Sequence, residues 1–370
     1  MKIVVTGTRG IPNIQGGIET HCEELYPRLA SLGYDITLIR RSCFVKKGEN
    51  DSEYRGVKLI TLFTVRIKTI ETFIHTFLSV IWAKRHNADI LHIHAIGPAL
   101  FVPFAKMLGL KVVFTHHGPD YDRAKWGPFA KSMLKLGERL ASRKADQVIV
   151  ISEVIRELLE RKYARIKTNL IFNGFSSPVF SAETDYIISL GLNPRQYVFT
   201  LGRFVEEKGF DLLIKAFSSA KHGNYKLVIA GDADHDTSYS SMLKKLAFSE
   251  NVILTGFVRG KKLNQLFSHA GLFILPSYHE GLPISLLEAM SYRLPVIVSD
   301  IPANRQVNLP AEYFFVTGNE ESLKDKINGM LSAEFSPVNY DLAPYNWDMI
   351  AGQTAEVYNQ LAGADKVQKC

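Results

Sequence analysis

Short apolar runs alternate with longer amphipathic segments along the whole chain. Runs rich in Val, Ile, Leu and Phe predict strands that are buried on both faces of a parallel sheet. The segments between them have the length and spacing of helices, and this alternation predicts an α/β fold with doubly wound sheets. The predicted strands lie at 2–5, 35–39, 57–62, 89–94, 111–115, 145–152, 197–201, 226–230, 251–258, 272–275 and 296–299.

Length and composition predict two domains. A chain of 370 residues with 46% hydrophobic residues can bury more than one core of ordinary size. Residues 175–194 are rich in Ser, Pro, Gly and Asn, a composition typical of an interdomain linker. We therefore expect an N-terminal domain at 1–175 and a C-terminal domain at 176–345, followed by an amphipathic helix at 350–361.

The apolar pattern predicts neither a membrane span nor a secretion signal. The most apolar regions, 73–83 and 95–114, are too short or are interrupted by proline and lysine. A strand, rather than a signal sequence, is predicted from Lys2. The three cysteines have no metal-binding spacing and form no even set, so we expect a protein of the reducing cytoplasm.

Positive charge is concentrated in the first half of the chain. Residues 1–175 hold 27 Lys and Arg against 16 Asp and Glu, a net of +11, whereas residues 176–370 hold 17 against 21, a net of −4. A solvated helix face accounts for any single lysine, but this excess favours an anionic partner: acidic lipid headgroups, a lipid diphosphate or nucleic acid. A helical stretch at 63–81 predicts a helix docked on the sheet or, alternatively, a face seated on a membrane. Its flanking cations are Arg66, Lys68, Lys84 and Arg85.

The richest candidate site lies between the last two predicted strands. A helix is expected to begin at about Pro283, so backbone N–H groups at 281–285 lack helical partners and attract phosphate. Glu280 precedes this segment and Glu288 follows on the second helical turn. Because a phosphate between two carboxylates is repelled, the carboxylates are expected to bind hydroxyl groups on either side of it. The alternative is that both glutamates are ordinary solvated charges.

Two further loops carry phosphate-binding chemistry. Gly16 and Gly17 lie between the first strand and a helix, where consecutive glycines permit close approach of a ligand to the backbone. Their spacing does not fit G-x-G-x-x-G, and a flexible turn without a ligand is the alternative. Arg203 and Lys208 bring two cations to the carboxyl edge of a sheet, where they can neutralise a leaving diphosphate. The alternative is a surface pairing with the two glutamates between them.

Histidines collect near two strands of the first half. His117 directly follows one strand, the place where functional groups of doubly wound sheets gather. His92 and His94 alternate on the other and are interpreted as core or cleft-wall residues, since nothing in the sequence completes a zinc site. Asp232 and Asp234 have an Asp-x-Asp spacing but follow a strand in a turn, and we interpret them as loop polarity.

Glu280 and Glu288, eight residues apart around Gly-Leu-Pro, resemble the retaining, nucleotide-sugar-dependent glycosyltransferases of the GT4 family, which have the two-domain GT-B fold. The resemblance implies two doubly wound Rossmann-like domains facing across a cleft. It implies that the C-terminal domain binds the nucleotide sugar and the N-terminal domain the acceptor. It also implies that the last helix, within 346–370, packs back on the N-terminal domain.

The same resemblance implies a role for each candidate residue. Glu288 would hold the nucleotide ribose, Glu280 would orient the donor sugar without acting as a covalent nucleophile, and His117 would lie near that sugar. Arg203 and Lys208 would contact the donor pyrophosphate, so these two and Glu280 and His117 are the expected catalytic set. The remaining expected donor-binding residues are Gly16, Gly17, Gly202, Phe257, Val258, Gly281, Leu282, Pro283 and Ile284.

A narrower resemblance comes from Gly-Ile-Pro at 10–12, Gly-Gly-Ile-Glu-Thr at 16–20 and the segment 120–127. These are similar to the bacterial subgroup that builds capsular, exopolysaccharide or O-antigen chains, rhamnosyltransferases among them. The resemblance implies a hexosyltransferase that uses a nucleoside diphosphate sugar and a glycan or lipid-linked glycan acceptor. We expect no metal and no cofactor, and a cytoplasmic location that includes the inner face of an anionic membrane.

Two alternatives stay open at this point. A GT-B-fold sugar nucleotide epimerase would use the same nucleotide pocket for different chemistry. A non-enzymatic nucleic-acid binder would explain the basic first half, but the sequence contains no interleaved basic and aromatic recognition motif, so no nucleic acid is expected.

Overall fold

The computed structural model describes residues 1–45, 51–64, 70–122, 126–163 and 167–367, with side chains up to 363. Arg66 and Lys68, expected to flank the helix at 63–81, lie outside these ranges, as do residues 123–125 of the segment 120–127. The chain divides into two compact units. Unit 1 comprises Met1–Gly174 with Tyr345–Cys370, and unit 2 comprises Phe175–Pro344.

Unit 1 is built on an eight-stranded sheet. Its strands are β1 (Lys2–Thr6), β2 (Asp35–Arg41), β3 (Glu53–Tyr54), β4 (Val57–Leu62), β5 (Ile90–His94), β6 (Lys111–His116), β7 (Gln147–Val150) and β8 (Asn169–Leu170). They are ordered β3-β4-β2-β1-β5-β6-β7-β8, and all pairs are parallel except β3 with β4. Successive residues of the central strands are buried, so both faces are covered, which explains their continuous apolar sequence.

The helices of unit 1 connect these strands and close the fold. They are α1 (Gly17–Ser31), α2 (Ile70–Arg85), α3 (Val102–Met107), α4 (Pro128–Lys144), α5 (Glu153–Tyr163) and the C-terminal α13 (Trp347–Val367). The Ser152 hydroxyl accepts a hydrogen bond from the Ile155 N–H at 3.3 Å, so Ser152 caps α5 as its sequence position predicts.

Unit 2 is built on a six-stranded parallel sheet. Its strands are β9 (Tyr197–Leu201), β10 (Lys226–Ala230), β11 (Ile253–Gly256), β12 (Leu272–Leu275), β13 (Val296–Ser299) and β14 (Phe314–Phe315). Its helices are α6 (Asp185–Ser189), α7 (Phe210–Ser219), α8 (Ser238–Ser249), α9 (Gly260–His269), α10 (Ile284–Ser291), α11 (Pro302–Arg305) and α12 (Glu320–Ser332). The order β11-β10-β9-β12-β13-β14 is that of a Rossmann-like sheet. The predicted fold class, α/β with two doubly wound sheets, is confirmed.

The segment 185–194 differs from the linker that its composition predicts. Its first five residues form α6, and Ile187 and Leu192 are buried within unit 2. Glu183 and Asp185 also accept hydrogen bonds from α9 side chains, His269 Nε2 at 2.9 Å and Gln265 Nε2 at 2.6 Å. Two apolar anchors among polar neighbours are enough to fix this stretch, so the linker interpretation is wrong for its second half.

Helix α2 buries a different face from the one its apolar spacing predicts. Its most buried residues include Glu71 and His75, and Glu71 forms a 2.7 Å ion pair with Arg41 of β2. The apolar face instead meets aromatic residues beyond β5: Phe77 stacks on Phe104 with ring centroids 5.4 Å apart. The ion pair explains the orientation, because a buried carboxylate needs its partner.

The C-terminal helix α13 is an integral part of unit 1. Trp347 is 2% exposed, and a Cβ added to Gly174 would lie 2.7 Å from the Trp347 ring. The start of α13 therefore packs directly on the end of the segment Met1–Gly174. Further along, Asp348 pairs with Arg28 at 2.7 Å and Asn359 accepts a hydrogen bond from the Tyr34 hydroxyl at 2.9 Å.

A buried carboxylate joins α4 to the loops around it. Glu138 is fully buried; its Oε1 lies 2.9 Å from His116 Nε2 and accepts a hydrogen bond from the Tyr121 hydroxyl, and its Oε2 accepts one from Tyr163 at 2.6 Å. Burial alone raises the pKa of this carboxyl, but the hydrogen bonds from His116 and Tyr163 and the charge of Lys162 outweigh it and lower the pKa from 4.5 to about 2.

We expect Glu138→Gln to destabilise unit 1 by roughly 3 kcal/mol at pH 7. Because the folded-state pKa is depressed, the carboxylate's contribution is present above pH 4.5 and is lost as the pH falls towards 2. Trp82, Trp126 and Trp347 all lie in unit 1, so denaturant unfolding followed by tryptophan fluorescence reports on that unit. The difference in unfolding free energy between wild type and Glu138→Gln should shrink below pH 4.5, whereas the exposed Glu157→Gln should show no difference from wild type. A difference for Glu138→Gln that does not change with pH would contradict the role assigned to its carboxylate.

Candidate active site

In unit 2, the expected site residues follow two neighbouring strands. Strands β9 and β12 pair in parallel, with Val198 opposite Leu272 and Phe199 opposite Phe273. The loops after them, 202–209 and 276–283, therefore start side by side at the carboxyl edge of the sheet. This is the point where the strand order reverses, the usual ligand-binding position of such sheets.

An ion pair joins these two loops. Lys208 Nζ lies 2.6 Å from Glu280 Oε1, and the Ser277 hydroxyl donates to the same oxygen at 2.6 Å. The backbone N–H of Tyr278 donates to the Glu207 carbonyl at 2.8 Å. The structure thus brings together two residues of the expected catalytic set that are 72 positions apart.

Two glycines permit this close approach. Gly209 has φ of 62°, and a Cβ there would lie 2.4 Å from the Pro276 carbonyl oxygen, so no larger residue fits without moving one loop. Gly202 lies beneath the Lys208 stem, since its added Cβ would be 3.3 Å from Lys208 Cε. Gly202 therefore shapes the path of the lysine towards Glu280.

Arg203 pairs with Asp234, which was not among the expected site residues. Its Nη1 lies 2.9 Å from Asp234 Oδ2, while Asp232 pairs with Lys244 at 2.9 Å. Asp232 and Asp234 thus lie in the loop after β10, as interpreted, and each pairs with a cation. The alternative pairing of Arg203 and Lys208 with Glu206 and Glu207 is wrong: their partners are Asp234 and Glu280.

The helix after Glu280 begins one residue later than expected. Pro283 is the N-cap residue, with φ −76° and ψ 110°, and α10 starts at Ile284. Gln306 Nε2 donates to the Gly281 carbonyl at 3.2 Å and so positions the loop before it. Leu282, Pro283 and Ile284 are buried, and Glu288 lies half-buried on the second turn of α10, as its spacing predicts.

Phe257 and Val258 follow β11, which is separated from β9 by β10. Phe257 is 45% exposed, with the Arg259 guanidinium 5.9 Å from its ring centroid. These two residues lie at the same carboxyl edge as the Lys208–Glu280 pair but two strands away from β9.

In unit 1, an unpredicted carboxylate in the first turn of α1, Glu19, holds the glycine loop. Glu19 Oε1 accepts hydrogen bonds from the Thr8 hydroxyl at 3.2 Å and the Arg9 N–H at 3.0 Å. A Cβ at Gly16 would lie 2.1 Å from Glu19 Oε2, whereas Gly17 has open space around it. The loop is therefore held from within by a negative charge beside Arg9, and Gly17 is the glycine with room for a ligand.

His117 belongs to a cluster of aromatic side chains in unit 1. Its Nε2 lies 2.8 Å from His94 Nδ1, and His94 Nε2 in turn hydrogen-bonds the Tyr26 hydroxyl. The His21 ring makes edge contacts with the His94 and His117 rings, at centroid distances of 5.5 and 4.9 Å. His92 uses both nitrogens elsewhere, Nε2 with Thr115 at 2.7 Å and Nδ1 with Tyr358 at 2.6 Å.

Burial keeps these histidines neutral. It lowers the pKa of His21 to about 4 and that of His92 to about 3, and it holds the pKa of His94 and of His117 well below the usual 6.5. All four imidazoles therefore offer a lone pair at neutral pH. His92 and His94 are core residues, as interpreted, but the contact of His21 with His94 was not predicted. Only the position of His21, four residues after Gly17 on α1, offered a signal.

Two family models together match most of the chain. Residues 15–177 match Glycosyltransferase Family 4, and residues 184–346 match Glycosyl transferases group 1. The chain is a GT4-like glycosyltransferase. The GT4 resemblance inferred from Glu280 and Glu288 is thereby confirmed, and so is the expectation of an enzyme.

One curated relative agrees with this assignment over nearly the whole length of this glycosyltransferase. An uncharacterized glycosyltransferase of Methanocaldococcus jannaschii is 24% identical, over 97% of this chain and 98% of the relative. An uncharacterized protein in the cps region of Klebsiella pneumoniae is 26% identical, over 81% of this chain and 79% of the relative.

Solved structures share the fold of this GT4-like enzyme. Sucrose-phosphate synthase of Thermosynechococcus elongatus superimposes with a TM-score of 0.78 at 19% identity, over 98% of this chain and 99% of that one. Anabaena HepE, in complex with UDP-glucose, gives 0.73 at 16% identity, over 99% of both chains. The fold is therefore of the GT-B type. Among the described residues, no helix has both the length and the apolar character required to cross a membrane.

Proposed function

We propose that this glycosyltransferase moves a sugar, with retention of configuration, from a nucleoside diphosphate donor to a lipid-linked glycan of a bacterial cell surface. The observation that carries the donor part is the Lys208–Glu280 ion pair at the carboxyl edge of β9 and β12. A cation and a carboxylate side by side suit the two ends of one scissile bond: the diphosphate that leaves and the sugar that is transferred.

Unit 2 supplies the groups for the leaving diphosphate. Arg203 and Lys208 compensate its charge, and the backbone at 281–284, at the start of α10, donates to its oxygens. Exchange of partners frees the cations, because each gives up a carboxylate as the diphosphate arrives. Glu280, released from Lys208, then accepts hydrogen bonds from sugar hydroxyls and orients the ring.

The remaining expected residues bind the rest of the donor. Glu288 accepts hydrogen bonds from the ribose hydroxyls, while the backbone at Phe257 and Val258 contacts the base and Gly202 leaves room for the phosphates. The donor contacts expected of Gly16, Gly17 and His117, in unit 1, stay predictions.

The proposed transfer uses protein cations rather than a metal ion at the diphosphate. The Asp-x-Asp pair nearest to this edge is engaged, since Asp232 pairs with Lys244 and Asp234 with Arg203. Two carboxylates held by cations are poor metal ligands, and Arg203 and Lys208 already provide the positive charge that a metal would supply.

The acceptor part rests on sequence and surface. The segments at 10–12 and 16–20 resemble enzymes that build capsule and exopolysaccharide, and one relative is a protein in a cps region. The epimerase and the nucleic-acid binder are not favoured, because the family and its relatives are glycosyltransferases.

A donor panel tests the proposal. We expect one of the UDP-, GDP- or dTDP-sugars, at about 100 times its Kd, to raise the unfolding free energy of the protein by roughly 3 kcal/mol, measured as a thermal shift. Glu288→Ala should weaken that donor by about 10- to 100-fold, because the ribose loses a charged acceptor. Glu250→Ala, also in unit 2 and exposed, is the control. No shift with any donor, or an unchanged shift in Glu288→Ala, would contradict the donor assignment.

Asp234→Asn should strengthen donor binding. If the diphosphate must take Arg203 from Asp234, removing that competitor lowers the Kd of the free nucleoside diphosphate by about two- to fivefold, the range of a partly exposed ion pair. Asp236→Asn removes the same charge from the same loop, away from the Arg203 ion pair, and should leave the Kd unchanged. Calorimetry measures both. Equal effects of the two variants would indicate a general field effect and not an exchange of partners.

Helix α4 is the surface that we propose for an anionic membrane and its lipid-linked acceptor. Phe129 is 78% exposed and Leu136 is 42% exposed. The two residues are seven positions apart and therefore lie on the same face of the helix. The helix carries a single acid, Glu138, which is buried, and its cations are Lys131, Lys135, Arg139, Arg143 and Lys144. An exposed apolar stripe with cationic flanks and no exposed acid suits a bilayer of anionic lipids.

Co-sedimentation with anionic phospholipid vesicles tests this surface. Reversal of Lys135, Arg139 and Arg143 to Glu should reduce binding more than tenfold, since each cation near such a surface contributes about 1 kcal/mol. Reversal of three exposed lysines of unit 2, Lys221, Lys245 and Lys261, is the charge-matched control. Equal loss in both triple variants, or no binding by the wild type, would refute the assignment of α4.

A further inference from the structure

We propose that His21, His94 and His117 form a binding site for a divalent transition-metal ion of the Zn2+ class. One ring nitrogen of each histidine lies within 4.8 Å of those of the other two. The three residues come from α1, from the end of β5 and from the loop after β6. The ion site goes beyond the proposed transfer reaction and shares His117 with the expected donor contacts, but no step of that reaction is routed through the ion.

The hydrogen bonds around the cluster are those that hold metal-binding histidines. A ligating imidazole usually donates its other N–H to a fixed acceptor, which orients the lone pair on the metal side. His21 Nδ1 lies 2.9 Å from Asn173 Oδ1, and His94 Nε2 is hydrogen-bonded to the Tyr26 hydroxyl. With protons on these outer nitrogens, His21 Nε2 and His94 Nδ1 both carry lone pairs.

One of these lone pairs has no partner. His21 is 2% exposed, and its Nε2 is a buried nitrogen without a hydrogen bond. A buried polar atom left unpaired costs about 1–3 kcal/mol. His92, in contrast, has both nitrogens engaged and is not part of the site. A cation between the three imidazoles would satisfy His21 Nε2.

Tetrahedral coordination requires the three imidazoles to shift, because their nitrogens lie within 4.8 Å of one another and not at the spacing of ligands on one ion. Zn–N bonds of about 2.0–2.1 Å place two nitrogens of a tetrahedral site ~3.3 Å apart. His94 Nδ1 and His117 Nε2 are 2.8 Å apart and share one proton, so metal binding requires a change of tautomer and a separation of about 0.5 Å.

The donor set and its access define the class of ion. Three neutral imidazoles suit Zn2+ and its neighbours rather than Mg2+ or Ca2+, which prefer oxygen. His94 is fully buried, whereas His117 is half-buried, so an ion enters from the His117 side. Three protein ligands leave a fourth position for water or a hydroxyl oxygen.

Direct binding to the EDTA-treated full-length protein tests the site. Titration with Co2+ should give the intense visible absorption of a four-coordinate ion and saturate at one ion per chain, and Zn2+ should displace the Co2+. His21→Gln should lose more than about 100-fold in affinity, and Asn173→Ala, which keeps all three ligands, about 10- to 100-fold. His86→Gln, which removes an exposed histidine of unit 1 outside the cluster, should bind as the wild type does.

The proposal does not depend on His21→Gln folding well. X-ray absorption at the zinc edge on the wild type counts the imidazole nitrogens independently, and three are expected. The proposal is overturned if the wild type takes up no stoichiometric ion, if the bound zinc has fewer than three imidazole ligands, or if the His86 variant loses affinity while the His21 and Asn173 variants do not.

Discussion

Parallel pairing of β9 with β12 is the constraint on which the candidate site of unit 2 depends. It places the ends of two strands, more than 70 residues apart in sequence, at one edge of the sheet. The missing side chain of Gly209 then lets the second loop approach the first within van der Waals distance, and the Lys208–Glu280 pair joins them. A slip of one residue in this register would turn the strand faces over and separate the two charges.

The charges of this edge are compensated within the protein. Each of the two cations expected at the diphosphate has a carboxylate partner, Asp234 for Arg203 and Glu280 for Lys208. This explains how the half of the chain with a net charge of −4 can hold the site for an anion. The position of the charges, rather than the net charge, decides whether an anion binds here. An incoming diphosphate replaces a carboxylate by another group of the same sign, so the local electrostatic field stays nearly unchanged.

Sequence patterns predicted the strands well and the contacts between distant residues poorly. Strands β12 and β13 begin and end where the apolar runs do, because a parallel strand buried on both faces has no polar positions that would make its ends ambiguous. The loop position of Glu280 and the helical turn of Glu288 also followed from spacing. In contrast, the Arg203–Asp234 pair spans 31 positions and the His21–Asn173 pair 152. No local period encodes such pairs. The buried polar face of α2 was not predicted for the same reason, because Arg41, the partner of Glu71, lies far away in sequence on β2.

Unit 1 is discontinuous in sequence, and this affects the order in which the protein is made. The ribosome releases residues 1–174 and then the whole of unit 2 before α13 appears. Until then unit 1 lacks the packing of Trp347 on Gly174 and the hydrogen bond between Tyr358 and His92. Unit 2, continuous in sequence, can complete its core during translation, whereas the part that is synthesised first must wait for the last helix to close it.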